Sequence, residues 1–256
     1  MEEPTIHEFD FGLINKYFTE LERLGPGSPA ETIRALGFIG NLSNKTKIAD
    51  LGCGTGVQTM VLAQNTEATI TALDLYAGSI DKLNATAEKL GLQHRVKGIV
   101  ASMDNLPFPK EEFDLIWSEG AIANIGFEKG LNHWRDFLKK DGYIAVTYES
   151  WFTDERPAEI EKWWLDAVPE ITTIGHNISI MQKTGYIPVA AFALPEHCWI
   201  DNYFMPQKAR QAEFLKKHAG NKVVADMIAF LRREADLYLK YKQYYGYVFY
   251  IGKKYK

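Results

Sequence analysis

The chain has 256 residues, 46% of them hydrophobic and 24% charged, enough to bury a continuous core and too apolar for a disordered or fibrous protein. A formal net charge of −4 offers no broad positive field for phosphates, so nucleic acid is disfavoured as a substrate. Two cysteines, Cys53 and Cys198, stand far apart without Cys-x-x-Cys or His-rich spacing, which speaks against a disulfide framework or a bound metal and fits a reducing, cytoplasmic compartment. No basic segment followed by an apolar run opens the sequence, and no stretch approaches the roughly 20 apolar residues that span a bilayer, so neither a secretion signal nor a membrane association is expected.

Taken in chain order, residues 9–24 mix Phe9, Phe11, Tyr17, Phe18 and Leu21 with charge and predict a helix, broken by Gly25-Pro26-Gly27. A second helix opens at Ser28-Pro29-Ala30-Glu31, where Ser28 can cap, Pro29 fits the first turn and Glu31 can complete a capping box. From residue 47 short apolar strands alternate with amphipathic helices: strands over 47–51, 69–73, 96–101, 113–117 and 143–148, and helices over 56–64, 78–90 and 127–140. In the 78–90 helix Ile80, Leu83, Ala87 and Leu90 share a face, and Gly91 stops it. This repeat implies a doubly wound α/β fold with a parallel sheet and right-handed crossovers. Further on, helices are expected over 155–168, 174–184, 207–218 and 221–242, with strands over 186–194 and 247–251. Val224, Ile228, Leu231, Ala235 and Tyr238 mark the buried stripe of the 221–242 helix.

The most informative stretch is Ala49-Asp50-Leu51-Gly52-Cys53-Gly54-Thr55-Gly56, where a predicted strand meets a predicted helix. Glycines there let the backbone turn sharply and admit a ligand with no Cβ in the way, although glycines also serve turns that bind nothing. The next strand ends in Asp74, twenty residues after Gly54, where a carboxylate can accept hydrogen bonds from both hydroxyls of a ribose. The plainer reading of Asp74 is a solvated strand-end acid or a helix cap. A dinucleotide fingerprint needs Gly-x-Gly-x-x-Gly, whereas this pattern is Asp-x-Gly-x-Gly-x-Gly with Val57 where the last glycine would fall, and no Gly-Lys-Ser/Thr follows as in a nucleotide phosphate loop.

Over roughly residues 45–150 the sequence resembles the class I S-adenosylmethionine-dependent methyltransferases, especially the small-molecule branch that includes the ubiquinone and menaquinone biosynthesis enzymes. Asp50 to Gly56, including Gly52 and Gly54, looks like the family's first motif, whose backbone and acid hold the methionyl and ribose parts of the cofactor. Asp74, followed by Leu75, is similar to its ribose acid. Ser102-Met103-Asp104 resembles the segment after the third strand, in which an apolar side chain flanks adenine and an acid meets its amino group. The run from Phe113 to Ser118 and Glu119 resembles the fourth motif, which ends near the reacting methyl. The resemblance implies a mostly parallel seven-stranded sheet with 247–251 as a final antiparallel strand, a helical cap over 1–44, a cofactor core over 45–150 and substrate-side elements over 151–256. The fourth motif lacks the Asn/Asp-Pro-Pro-Tyr sequence that resembling enzymes use on amino groups of bases or glutamine, so acceptors of that type lose support.

Methyl transfer from a sulfonium asks the protein mainly for alignment and exclusion of water, with a base only for some acceptors. Glu119 and His197 are the leading candidates for such a base, with Glu149 and His133 behind them, and His133, in mid-helix, reads better as structural. Tyr17, Trp151, Trp199 and Tyr203 are candidates to line an acceptor pocket; the alternative is that these aromatics form core under a helical cover. Transfer of a methyl group to oxygen, nitrogen or carbon of a small molecule is therefore the leading expectation. A cofactor-binding protein without catalysis and a nucleotide-dependent oxidoreductase are the rivals, and the sequence leaves a homo-oligomer open.

Overall fold

The computed structural model describes residues 8–40 and 42–255. Residues 1–7, where no secretion signal is expected, lie outside the described residues. Helix α1 (Phe11–Phe18) starts at Asp10, whose carboxylate accepts from the Leu13 N–H at 2.9 Å. It stops well short of the expected Leu24, and the chain then runs irregularly into α2 (Pro29–Leu36). The predicted cap is present, with Ser28 Oγ accepting from the Glu31 N–H at 3.2 Å. Glu31 turns to Arg34 at 3.3 Å.

The alternating segment follows as β1 (Lys47–Leu51), α3 (Val57–Asn65), β2 (Thr69–Asp74), α4 (Ala77–Lys89), β3 (Val96–Val100), β4 (Phe113–Ser118), a 3-10 turn (Ile122–Asn124), α5 (Phe127–Arg135) and β5 (Leu138–Trp151). Leu90 caps α4 and is exposed rather than buried with Leu83. The helix expected to reach residue 140 ends at Arg135, because Leu138 already pairs with Phe113 of β4, and Asp141 absorbs the resulting irregularity at φ 62°. The remainder comprises α6 (Ala158–Ala167), β6 (Thr172–Thr173), α7 (Ile174–Lys183), β7 (Tyr186–Ala193), α8 (Glu196–Trp199), a π-helical turn (Ile200–Phe204), α9 (Met205–Lys217), α10 (Lys222–Tyr241) and β8 (Tyr245–Lys254). The stretch 196–204, left between the expected strand over 186–194 and helix over 207–218, is helical and runs directly into α9.

The strands form one sheet in the order β3-β2-β1-β4-β5-β8-β7, with the two-residue β6 added beside β5 as an eighth strand. β1 to β5 are mutually parallel, and β8 lies antiparallel between β5 and β7. Pro188 is accommodated because β7 is an edge strand, and the β7–β8 register shifts between Pro188 and Ala190. Both faces of the sheet are covered. Ile48, Ile70 and Leu115 point into one hydrophobic cluster, and Ala49, Leu73 and Ile116 into the other, which is why these strands read as nearly continuous apolar runs. The strand order reverses between β1 and β4, so the loops after their carboxyl ends open a crevice there.

Candidate functional site

A cavity of about 440 Å³ occupies that crevice, within the size range of small-molecule sites. Its floor is the turn after β1. Gly52, Gly54 and Gly56 all have positive φ, at 71°, 53° and 88°, a region that favours glycine. A Cβ on Gly52 would lie 2.4 Å from the Ala121 Cβ and 3.0 Å from the Met103 Cε. Asp74, at the end of β2, points back to this turn: Oδ2 accepts from the Gly54 N–H at 3.0 Å and Oδ1 from the Tyr76 N–H at 3.0 Å. The carboxylate is thereby fixed in the wall with lone pairs still available to a ligand.

The other wall comes from the loops after β3 and β4. Ser102, Met103 and Asp104 line it, as does Leu75. The Ser102 hydroxyl donates to Asp104 and holds its carboxyl below the usual range. Met103 is anchored by its carbonyl, which accepts from the Trp134 indole N–H at 2.8 Å. Asp50 and Ser118 do not line the cavity; both are buried behind it. Asp50 accepts from Thr59 Oγ1 at 2.6 Å, and burial pushes its carboxyl up to about 7. Ser118 donates to the Leu51 carbonyl at 2.8 Å and joins β4 to β1.

Glu119 lines the cavity, but its carboxylate is already occupied. Oε1 accepts from Thr32 Oγ1 at 2.7 Å and from the Trp117 indole at 3.0 Å, and Oε2 from Arg23 Nη1 at 3.4 Å. His197 is exposed and lies outside the lining, its ring 3.8 Å from the Cys198 sulfur. His133 sits against Phe137 on α5, also away from the cavity. Glu149 is buried on β5 opposite Tyr247 of β8, and burial raises its carboxyl.

The aromatic candidates are all buried and none lines the cavity. Trp199 stacks on Tyr238 at 4.5 Å, Trp151 carries the Arg156 guanidinium at 4.4 Å, and the Tyr17 hydroxyl donates to Gln207 at 3.1 Å. Tyr203 comes nearest, stacked at 6.5 Å on Phe18, which does line the cavity. What the sequence did not specify is which side chains of the N-terminal segment line the site: they are chiefly Phe11, Ile14, Phe18, Arg23 and Leu24. Leu24 reaches the turn itself, 3.4 Å from where a Gly54 Cβ would stand. The only signal for this was the Gly25-Pro26-Gly27 break directly after Arg23 and Leu24.

Sheet order, glycine turn and strand-end acid together define the fold of the class I S-adenosylmethionine-dependent methyltransferases. Residues 48–142 match the family model described as a methyltransferase domain. Among curated proteins it is 26% identical over 149 residues to a sterol 24-C-methyltransferase of Gibberella zeae, covering 55% of this chain and 39% of that one. It is 24% identical over 189 residues to the glycine/sarcosine/dimethylglycine N-methyltransferase of Actinopolyspora halophila, covering 69% of this chain and 33% of that one. The chain thus spans well under half the length of these two relatives. A S-adenosylmethionine-dependent methyltransferase from Geobacter sulfurreducens, solved with S-adenosyl-L-homocysteine, superposes with a TM-score of 0.82 at 16% identity, covering 96% of this chain and 99% of that one. The YjhP structure from E. coli superposes with a TM-score of 0.81 at 20% identity, covering 94% and 99%.

Proposed function

We propose that this protein transfers a methyl group from S-adenosylmethionine to a small-molecule acceptor. The observation that carries the reading is the closed link between the glycine turn and Asp74 at the cavity wall. It presents a carboxylate to ribose hydroxyls beside a backbone that a ligand can approach. Asp104 and Met103 suit the amino edge and the face of adenine. The cofactor, when bound, supplies the activated methyl on a sulfonium; the protein's own part is to orient it and exclude water.

The acceptor would meet the apolar residues Phe11, Ile14, Phe18, Ala121 and Ile125 of the same cavity, with Tyr203 and Trp199 supporting that wall from behind. Glu119, held by three donors, acts here as a fixed anchor rather than a mobile base, and His197 has no part in the step. Cys53 and Cys198 are buried free thiols, which supports a reducing, cytoplasmic setting. Among the described residues no helix is long and apolar enough to cross a membrane.

The test is ligand-selective stabilisation followed by turnover. S-adenosylhomocysteine should raise the melting temperature while NAD and ATP do not. Labelled S-adenosylmethionine with a metabolite extract should then yield a labelled small molecule. Stabilisation by NAD alone would overturn the reading, and stabilisation by S-adenosylhomocysteine without any labelled product would favour a binding protein that lacks catalysis.

A further inference from the structure

The cavity wall is unevenly charged. It carries Glu22, Asp74, Asp104 and Glu119, and among the described residues that line it Arg23 is the only lysine or arginine. Arg23 is nearly enclosed, with 9% of its side chain exposed against 4% for its partner Glu119. A single contact joins them, from Nη1 to Glu119 Oε2 at 3.4 Å, so the guanidinium fork is not saturated. Gly27 packs against the same nitrogen: a Cβ there would stand 2.2 Å from Nη1. The second terminal nitrogen, Nη2, is buried and has no hydrogen-bond partner. A charged donor left unpaired in a water-poor site is unfavourable unless something supplies its acceptor.

We propose that Arg23 is the carboxylate receptor of this site, its Nη2 holding the α-carboxylate at the methionyl end of the cofactor, with Glu119 as the positioning residue that aims it. The assignment rests on the methyltransferase reading. The acids in the wall can meet the hydroxyls, the adenine amino group and the ammonium of such a ligand, whereas its one carboxylate finds a cation only at Arg23. Glu119 is itself fixed by Thr32 and Trp117, so the guanidinium is held from the sheet side although it belongs to the segment between α1 and α2.

Calorimetry on the full chain tests this with two probes that share the adenosine thioether and differ in the amino-acid arm: S-adenosylhomocysteine and 5′-methylthioadenosine. Arg23→Met should weaken S-adenosylhomocysteine by about 10- to 100-fold, the range for losing a charge-assisted pair, and leave 5′-methylthioadenosine within about twofold. Glu119→Gln should show a smaller loss with the same selectivity. If Arg23→Met leaves an unpaired Glu119 and does not fold, the double variant Arg23→Met/Glu119→Gln removes both charges and must show the same selectivity. Equal loss of both probes, or loss of neither, overturns the assignment while the methyltransferase reading stands. A wild-type protein that binds neither probe overturns both.

Discussion

The main-chain N–H of Gly54 donates to Oδ2 of Asp74 at 3.0 Å, across twenty residues of sequence. Gly54 N–H would otherwise be one of the free donors of the turn, and the Asp74 carboxylate would be free to rotate. The bond fixes both, and the second carboxylate oxygen is held by the Tyr76 N–H at 3.0 Å. The acid is therefore oriented before any ligand arrives, which lowers the ordering cost of binding.

Asp74→Ala should weaken S-adenosylhomocysteine binding by on the order of 2 kcal/mol, the scale for charge-assisted hydrogen bonds to enclosed hydroxyls. Asp74→Asn should lose less, since the amide oxygen can still accept from one main-chain N–H. Calorimetric affinities unchanged in the alanine variant would place the ribose elsewhere.

Gly52→Ala should damage both stability and cofactor binding. The residue has φ 71°, and its Cβ would stand 2.4 Å from that of Ala121, so strain of about 1–2 kcal/mol from the left-handed backbone adds to a clash in the wall. The check is the melting temperature with and without S-adenosylhomocysteine; a wild-type value in both states would contradict it.

Stability should fall as pH rises from about 4.5 to about 7, in part because of Glu234. Burial pushes this carboxyl from 4.5 to about 7, with Glu149 adding repulsion and the Tyr203 hydroxyl opposing it through a 3.4 Å contact. A raised carboxyl means that the folded state holds a proton the unfolded state has released, so stability is highest below the unfolded value and declines through the folded one. Glu234→Gln should flatten the profile over this interval, leaving the share due to Asp50, which is raised to the same region. Calorimetric scans between pH 4 and 8 that run parallel for the two proteins would count against it.

Trp199→Ala should cost about 3–5 kcal/mol of stability, as expected for deleting a large buried aromatic. Its ring stacks on Tyr238 at 4.5 Å and meets the edge of Tyr247 at 5.1 Å. Turnover per folded molecule and S-adenosylhomocysteine affinity should change little. A stable variant with lost turnover would instead make Trp199 part of the acceptor wall.

The elements and residues legible in the sequence are those whose causes are local. Ser28-Pro29 marks a helix start, the glycines after β1 mark a sharp turn, and the strands around Ile48 and Ile70 announce themselves by being apolar on both faces. Interactions between distant segments were not legible. Residues 139–142 carry the Lys-Lys-Asp-Gly flavour of a helix end, yet the pairing of Leu138 with Phe113 draws 138–142 into β5. Likewise 196–204 reads as a connection because of its mixed polar and aromatic composition, and becomes helical where its rings pack under α10. On the site side, the glycine turn stood out as a local motif and Asp74 by its spacing from it, while Met103 was singled out only by the family resemblance. Arg23 was not, because its significance comes from Glu119, ninety-six residues away.

β8 pairs along its length with β5 on one side and β7 on the other, and it follows both of them in the sequence. A growing chain therefore presents the flanks of β5 and β7 without their shared neighbour until residues 245–254 are added. During that interval two strands carry unmatched N–H and C=O groups, the kind of open edge that recruits other chains. Closing the sheet is a late, long-range event and so a slow one. Shortening the chain before Tyr245 would leave that gap permanently, turning a protein that completes its own sheet into one prone to self-association.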